Sequence, residues 1–161
     1  MRETDGAVLV EMAVVIPMLA TLGFGTLEFG YYFYDRQIIE SGLRDGARYA
    51  AGRPYNPSNA TQTAQVISDA KNIATTGTNS GGTPRLSWWT TTNVTVAYST
   101  VANPNTCGTG NTQACYRYSG SVPLVTVSTS VTYPQLGFLG VLGLSDITIA
   151  TSHQERVIGV R

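Results

Sequence analysis

The hydrophobic pattern of the chain changes period twice. From Ala7 to Leu27 there are 21 residues of nearly continuous apolar character, interrupted only by Glu11 and Pro17. At about 1.5 Å per residue such a helix is about 31 Å long, enough to cross the hydrocarbon of a bilayer. Pro17 is expected to bend it, since its ring removes a backbone donor and crowds the preceding turn. Tyr31, Tyr32, Phe33 and Tyr34 follow as an interfacial aromatic belt, and Asp35 and Arg36 mark the exit into water. These boundaries set a membrane helix at 7–34. A cleavable secretory signal would have a shorter apolar run ending at small residues. Here the run is too long, carries an acid and continues into a polar helix.

Residues 35–52 keep helical spacing but become amphipathic, with Ile38, Ile39, Leu43, Ala47, Ala50 and Ala51 on one side. Arg36–Glu40 and Glu40–Arg44 are opposite charges four residues apart, a spacing that supports a helix by a few tenths of a kcal/mol per pair. Gly42, Gly46 and Ala50 form a ridge of small residues at i, i+4 and i+8. Such a ridge lets another backbone approach closely, either the chain's own sheet or a neighbouring molecule. The alternative is that the glycines only weaken the helix, by about 1 kcal/mol each relative to alanine. Gly52-Arg53-Pro54 then stops it.

Beyond the stop, the period shortens. Asn59 to Thr75 suits a second amphipathic helix with Ala60, Ala64, Ile67, Ala70 and Ile73 or Ala74 as its stripe. Strand alternation appears at Asn93–Ser99, most clearly at Val125, Val127, Thr129, Val131 and Tyr133, and again from Ile147 towards Val157. Tyr116-Arg117-Tyr118 is a further strand candidate. Trp88 and Trp89 read as core or sheet-edge aromatics, with a ligand platform as the alternative. The stretch from Pro134 to Leu144 is unusually apolar for a turn. Leu136, Phe138, Leu139, Val141 and Leu142 are therefore expected to be covered, by the helix or membrane surface, by another subunit, or within the core. The fold class that results is α+β: a long N-terminal helix, transmembrane in its first half, packed against a small antiparallel sheet of three or four strands.

Composition adds the compartment. Residues after Gly52 are rich in Thr, Ser, Asn and Gly and poor in charge, which suits an exported domain spanning 53–161. Cys107 and Cys115 bracket a loop-like stretch, and in an exported domain they are expected to close it as a disulfide. Two free thiols in a reducing compartment are the alternative. Formal net charge is zero, which gives no reason to expect nucleic acid. Residues 1–52 carry four basic and seven acidic side chains and the remainder six and three, a mild dipole of −3 against +3.

Chemistry is sparse. His153 is the only histidine and stands far from both cysteines, so no metal site is expected. No phosphate loop, nucleophile elbow or acid–base pair is visible, and no enzyme, cofactor or small-molecule substrate is expected. The exception is Glu11. A carboxylate within a bilayer costs roughly 2.5–3.5 kcal/mol on insertion scales, and such residues are retained when they pair with something.

Gly6, Ala7 and Glu11 together resemble a type IV prepilin processing site, with Gly6 closing a leader of residues 1–6 and Glu11 the fifth residue after it. The resemblance tightens along the helix. Glu11, Pro17, Gly25, Glu28-Phe29-Gly30 and Arg44-Asp45-Gly46-Ala47-Arg48-Tyr49-Ala50-Ala51 resemble the signature of TadE-like proteins, minor pilins or pseudopilins of the Tad/Flp tight-adherence pilus. A long strand, a hydrophobic turn and a final strand over 122–158 also fit, whereas the middle of the chain is not covered.

The resemblance implies a pilin-like fold, cleavage after Gly6 by a prepilin peptidase and lateral helix–helix packing through Ala7–Leu27; Pro17 and the Gly42, Gly46, Ala50 ridge are the helix-packing positions expected from the residues themselves. The resemblance also implies charge pairing of Glu11 with an N-terminal amine. Implied partners are the peptidase, other Tad pilins and pseudopilins (TadF-like and Flp-like) and the bacterial inner membrane. The protein would cross that membrane once, N-terminus in the cytoplasm and C-terminal domain in the periplasm or outside, in or at the tip of a pilus. The competing expectation is a membrane-anchored binding or adhesion module that uses the helix only as a tether.

Overall fold

A computed structural model describes residues 3–54, 59–102, 121–134, 140 and 147–158. In chain order its elements are α1 (Glu3–Ala51), α2 (Ala60–Thr76), a 3₁₀ turn (Thr91–Asn93), β1 (Val94–Ala102), β2 (Ser121–Thr132) and β3 (Thr148–Arg156). The architecture is α+β and pilin-like, a long apolar N-terminal helix with a three-stranded antiparallel sheet. Tyr116–Tyr118, Cys107, Cys115 and Leu136, Phe138, Leu139, Val141 and Leu142 lie outside the described residues.

Contacts divide the chain into two units, 1–36 with 132–147, and 37–131 with 148–161. In the first unit, α1 is exposed along nearly all of its apolar length. Helix assignment runs through Pro17 without a break. One face is covered: Gly25 and Glu28 are buried and Tyr32 is half-buried, a three- and four-residue spacing that marks a single side of the helix. Tyr32 meets Tyr133 edge-on, with ring centroids 5.4 Å apart and planes at 87°, an arrangement that aromatic quadrupoles favour.

The second unit holds the main core. Ile39, Leu43, Ala47 and Ala50 of α1 are fully buried there, with Ala70, Ala74, Trp89, Val125, Val127 and Val157. Helix α2 begins at Asn59, whose side chain accepts from the Gln62 amide at 3.1 Å. It ends at Gly77, which takes φ +80° and returns its amide to the Ile73 carbonyl.

The buried stripe of α2 is Val66, Ala70 and Ala74, while Ala60 and Ala64 are exposed, a rotation of the expected stripe. The cause is the partner. A Cβ at Gly46 would stand 2.7 Å from the Ala70 carbonyl oxygen, and one at Gly42 would collide with the Ala74 carbonyl and the Trp89 ring. Successive small residues of α1 thus face successive small residues of α2 in opposite order, so the helices cross antiparallel with backbones touching. The ridge packs against α2, which was neither of the partners anticipated for it.

Strands β1 and β2 pair antiparallel from Val94↔Thr129 to Ala102↔Ser121, with β2 central in the order β1-β2-β3. Val94, Val96, Val125 and Val127 put alternate side chains into the core. The buried indole of Trp89 ties the layers together: its ring edge lies against Gly42, and its Nε1–H donates to Thr129 Oγ1 at 3.2 Å.

Candidate assembly surface of the N-terminal helix

Glu11 is exposed on α1, and so are the residues one turn to either side of it, Ala7, Val8, Val14 and Val15. Further exposed apolar side chains continue through Ile16, Leu19, Leu22, Phe24 and Leu27. Burying one large apolar side chain is worth about 1.5–3 kcal/mol, so a dozen left in water would cost tens of kcal/mol. A surface this long is a contact surface, covered by lipid or by other helices. One helix in the described chain is long and apolar enough to cross a membrane, and its apolar window is not buried within the protein.

The helix also satisfies its own polar groups. Thr21 Oγ1 donates to the Pro17 carbonyl at 2.8 Å and Thr26 Oγ1 to the Leu22 carbonyl at 2.7 Å. These bonds let hydroxyls enter hydrocarbon without an unmet donor. Ala20, Gly23, Phe24, Thr26 and Leu27 line a shallow apolar depression, and a Cβ at Gly23 would meet nothing. Gly6 is equally open.

Glu28 was read from the sequence only as part of a motif, yet it is almost fully buried. Its spacing from Gly25 and Tyr32 was the available signal. The Tyr133 phenol is held above its ordinary value of 10.0 by burial first, then by the negative charge of Asp35 and of Glu28. Burial also raises the Asp35 carboxyl.

The second half of α1 presents different chemistry. Asp45 accepts from Arg85 at 2.6 Å, and the Tyr49 hydroxyl donates to Asp69 Oδ2 at 2.9 Å while Arg53 lies 4.7 Å over the Tyr49 ring. Burial, then the bond to Asp69, pushes the Tyr49 phenol up. These contacts fasten α1 to α2 and to the segment that follows it. His153, solitary in the sequence, is 3.0 Å from Glu155 Oε1. The described residues contain no group of three or more His, Cys, Asp or Glu placed to hold a metal ion.

The structure therefore does not gather the anticipated positions into one site. Ala7, Glu11 and Pro17 lie on the exposed apolar stretch, Gly42 and Gly46 lie in the helix–helix seam of the other unit, and Ala50 is buried in that unit's core. Residues 6–48 match the family model described as TadE-like protein. No curated protein and no solved structure matches the chain. Over residues 6–48 the chain is thus similar to TadE-like proteins.

Proposed function

We propose that the protein is a minor pilin or pseudopilin acting in biogenesis or priming of a Tad-type (type IVc) pilus. It is cut between Gly6 and Ala7 by a prepilin peptidase and assembled by lateral packing of α1. The observation that carries this reading is an apolar helical run, exposed over nearly all of residues 7–27 and bearing one carboxylate there, Glu11, within the stretch that matches the family. Cutting at Gly6 would create an ammonium at Ala7. A carboxylate in hydrocarbon is tolerated once it meets such a cation, its own or a neighbour's. Gly6 supports the cut locally, since glycine is the weakest helix former after proline and its site is open on all sides. Before cleavage the N-terminus lies in the cytoplasm, and the domain with the sheet lies on the far side of the inner membrane.

The experiment is N-terminal sequencing of protein extracted from membranes, combined with Glu11→Ala. A mature start at Ala7 and loss of the variant from sheared pilus fractions, with the variant still folded and in the membrane, is the expected pair of results. Normal incorporation of the variant would overturn the pairing. An unrelated transmembrane helix that restored function would leave only a tether.

A further inference from the structure

On the core-side row of β3, Ile149 and Val157 are buried, but Thr151, His153 and Glu155 between them are only half-buried. A strand over a core carries apolar residues at every second position. Here the row turns polar where it borders an open cleft of about 250 Å³ lined by Glu40, Leu43, Arg44, Thr151, Ser152 and His153. That volume falls below the range for drug-sized ligands and suits one or two side chains.

The cleft runs beside an edge. Thr151, Ser152 and His153 all line it although successive residues of a strand point to opposite faces, so it follows the strand's border rather than one face. Among the described residues β3 has a neighbour on one side only, β2. The Val157 amide donates inward to the Pro123 carbonyl, and Gln154 opposite Thr126 keeps the same antiparallel register. Backbone groups of alternate residues point to opposite sides of a strand. Odd-numbered residues of β3 therefore bond to β2, and Ala150, Ser152 and Gln154 turn their N–H and C=O to the side on which no described strand lies; just past β3, the next outward amide, that of Ile158, donates to the Ala51 carbonyl. Unpaired edges of this kind accept extended peptides.

Charge selects the peptide. Arg44 is exposed and makes no hydrogen bond or ion pair among the described residues, whereas the neighbouring Asp45 is taken by Arg85. Glu40 is already engaged, and His153 is tied to Glu155. The open valence of the cleft is a guanidinium beside a strand edge.

We infer that the outer edge of β3 is a docking site for an extended segment of a partner protein, which adds as a further strand and places a carboxylate side chain on Arg44. This goes beyond the assembly role of the apolar part of α1 and uses none of residues 7–27.

The test uses the full-length protein in detergent micelles and two synthetic peptides of alternating threonine and valine. One carries a central glutamate, the other glutamine at that position. The glutamate peptide is expected to bind about five-fold more tightly, the range of an exposed ion pair, and to slow amide exchange at Ala150, Ser152 and Gln154. Arg44→Ala, at an exposed position, should reduce the glutamate peptide to the level of the glutamine one. Ser152→Pro, which removes an outward donor and no bond to β2, should weaken both. Equal binding of the two peptides, or unchanged binding by Arg44→Ala, would overturn the charge selection. Binding without slowed exchange at those amides, or no binding, would overturn the edge addition. Free acetate competing as well as the peptide would make this a small-anion site and sink the inference. Glu11→Ala should bind both peptides as the parent does, which separates this result from failure of the assembly role.

Discussion

The two halves of α1 share a helix and differ in everything else. Over residues 7–27 the helix is predominantly apolar and, apart from Gly25 and Thr21, exposed; over 37–51 it is amphipathic, with Ile39, Leu43 and Ala47 fully buried. The first half is held mainly by hydrogen bonds within the helix and leaves most of its side chains exposed. The second half is held by tertiary contacts: a glycine seam with α2, the Trp89 ring and two polar ties. The same residue type therefore means different things in each. Gly23 faces open space, and Gly42 faces a carbonyl and an indole.

The largest test of this contrast is leucine truncation. Leu43, 0% exposed, should lose about 2–5 kcal/mol of domain stability on conversion to Ala, whereas Leu19, 61% exposed, should lose under about 0.5 kcal/mol. Chemical denaturation in detergent, followed by tryptophan fluorescence, reads both. Equal losses would collapse the distinction between the halves.

Glycine substitution comes next. Alanine improves helix propensity by about 1 kcal/mol at either position. At Gly23 that gain should stand. At Gly42 the added methyl meets the Ala74 carbonyl, which is backbone and cannot swing aside, and overpacking of this kind costs about 1–3 kcal/mol. Gly42→Ala should therefore be net destabilising, and a Tm above the parent's would refute the close helix crossing.

Smaller effects sharpen the second half alone. Asp45 and Arg85 are partly exposed, so Asp45→Asn should cost about 0.2–1 kcal/mol and less in high salt. A loss independent of salt would point to something other than the ion pair. Tyr49 gives the pH arm. Its phenol is raised above 10.0 in the folded protein, so its contribution is complete below pH 10 and fades as pH climbs through the folded value. Alkaline denaturation profiles of the parent and Tyr49→Phe should converge above that value and separate below it; parallel profiles would remove Tyr49 from the account.

Much of this architecture was legible from period alone. The helix expected over Asn59–Thr75 is α2, Ala60–Thr76, because amphipathic period is a local property; its caps at Asn59 and Gly77 emerged from the structure. Val125, Val127 and Thr129 announced β2 because alternation follows from strand geometry, although β2 starts four residues before Val125, at Ser121. The stripe of α2 was right at Ala70 and Ala74 and misplaced at Ala60 and Ala64, because these alanines are equivalent by hydrophobicity. Only the opposing glycines choose among them. Burial of Glu28 was missed for a related reason: a charged residue signals exposure unless its cover is known.

By itself, the sequence determined what depends on neighbours along the chain: an apolar run long enough for a bilayer, the one acid within that run, the helix stop at Gly52-Arg53-Pro54 and the strand period. Tertiary structure alone decided what depends on residues far apart. It set Gly42 and Gly46 against α2, joined Asp45 to Arg85 forty residues away, and placed the polar row of β3 beside a cleft that Arg44 also lines. The physical reason is that propensity and periodicity are properties of one segment, whereas packing selects among faces that are locally equivalent.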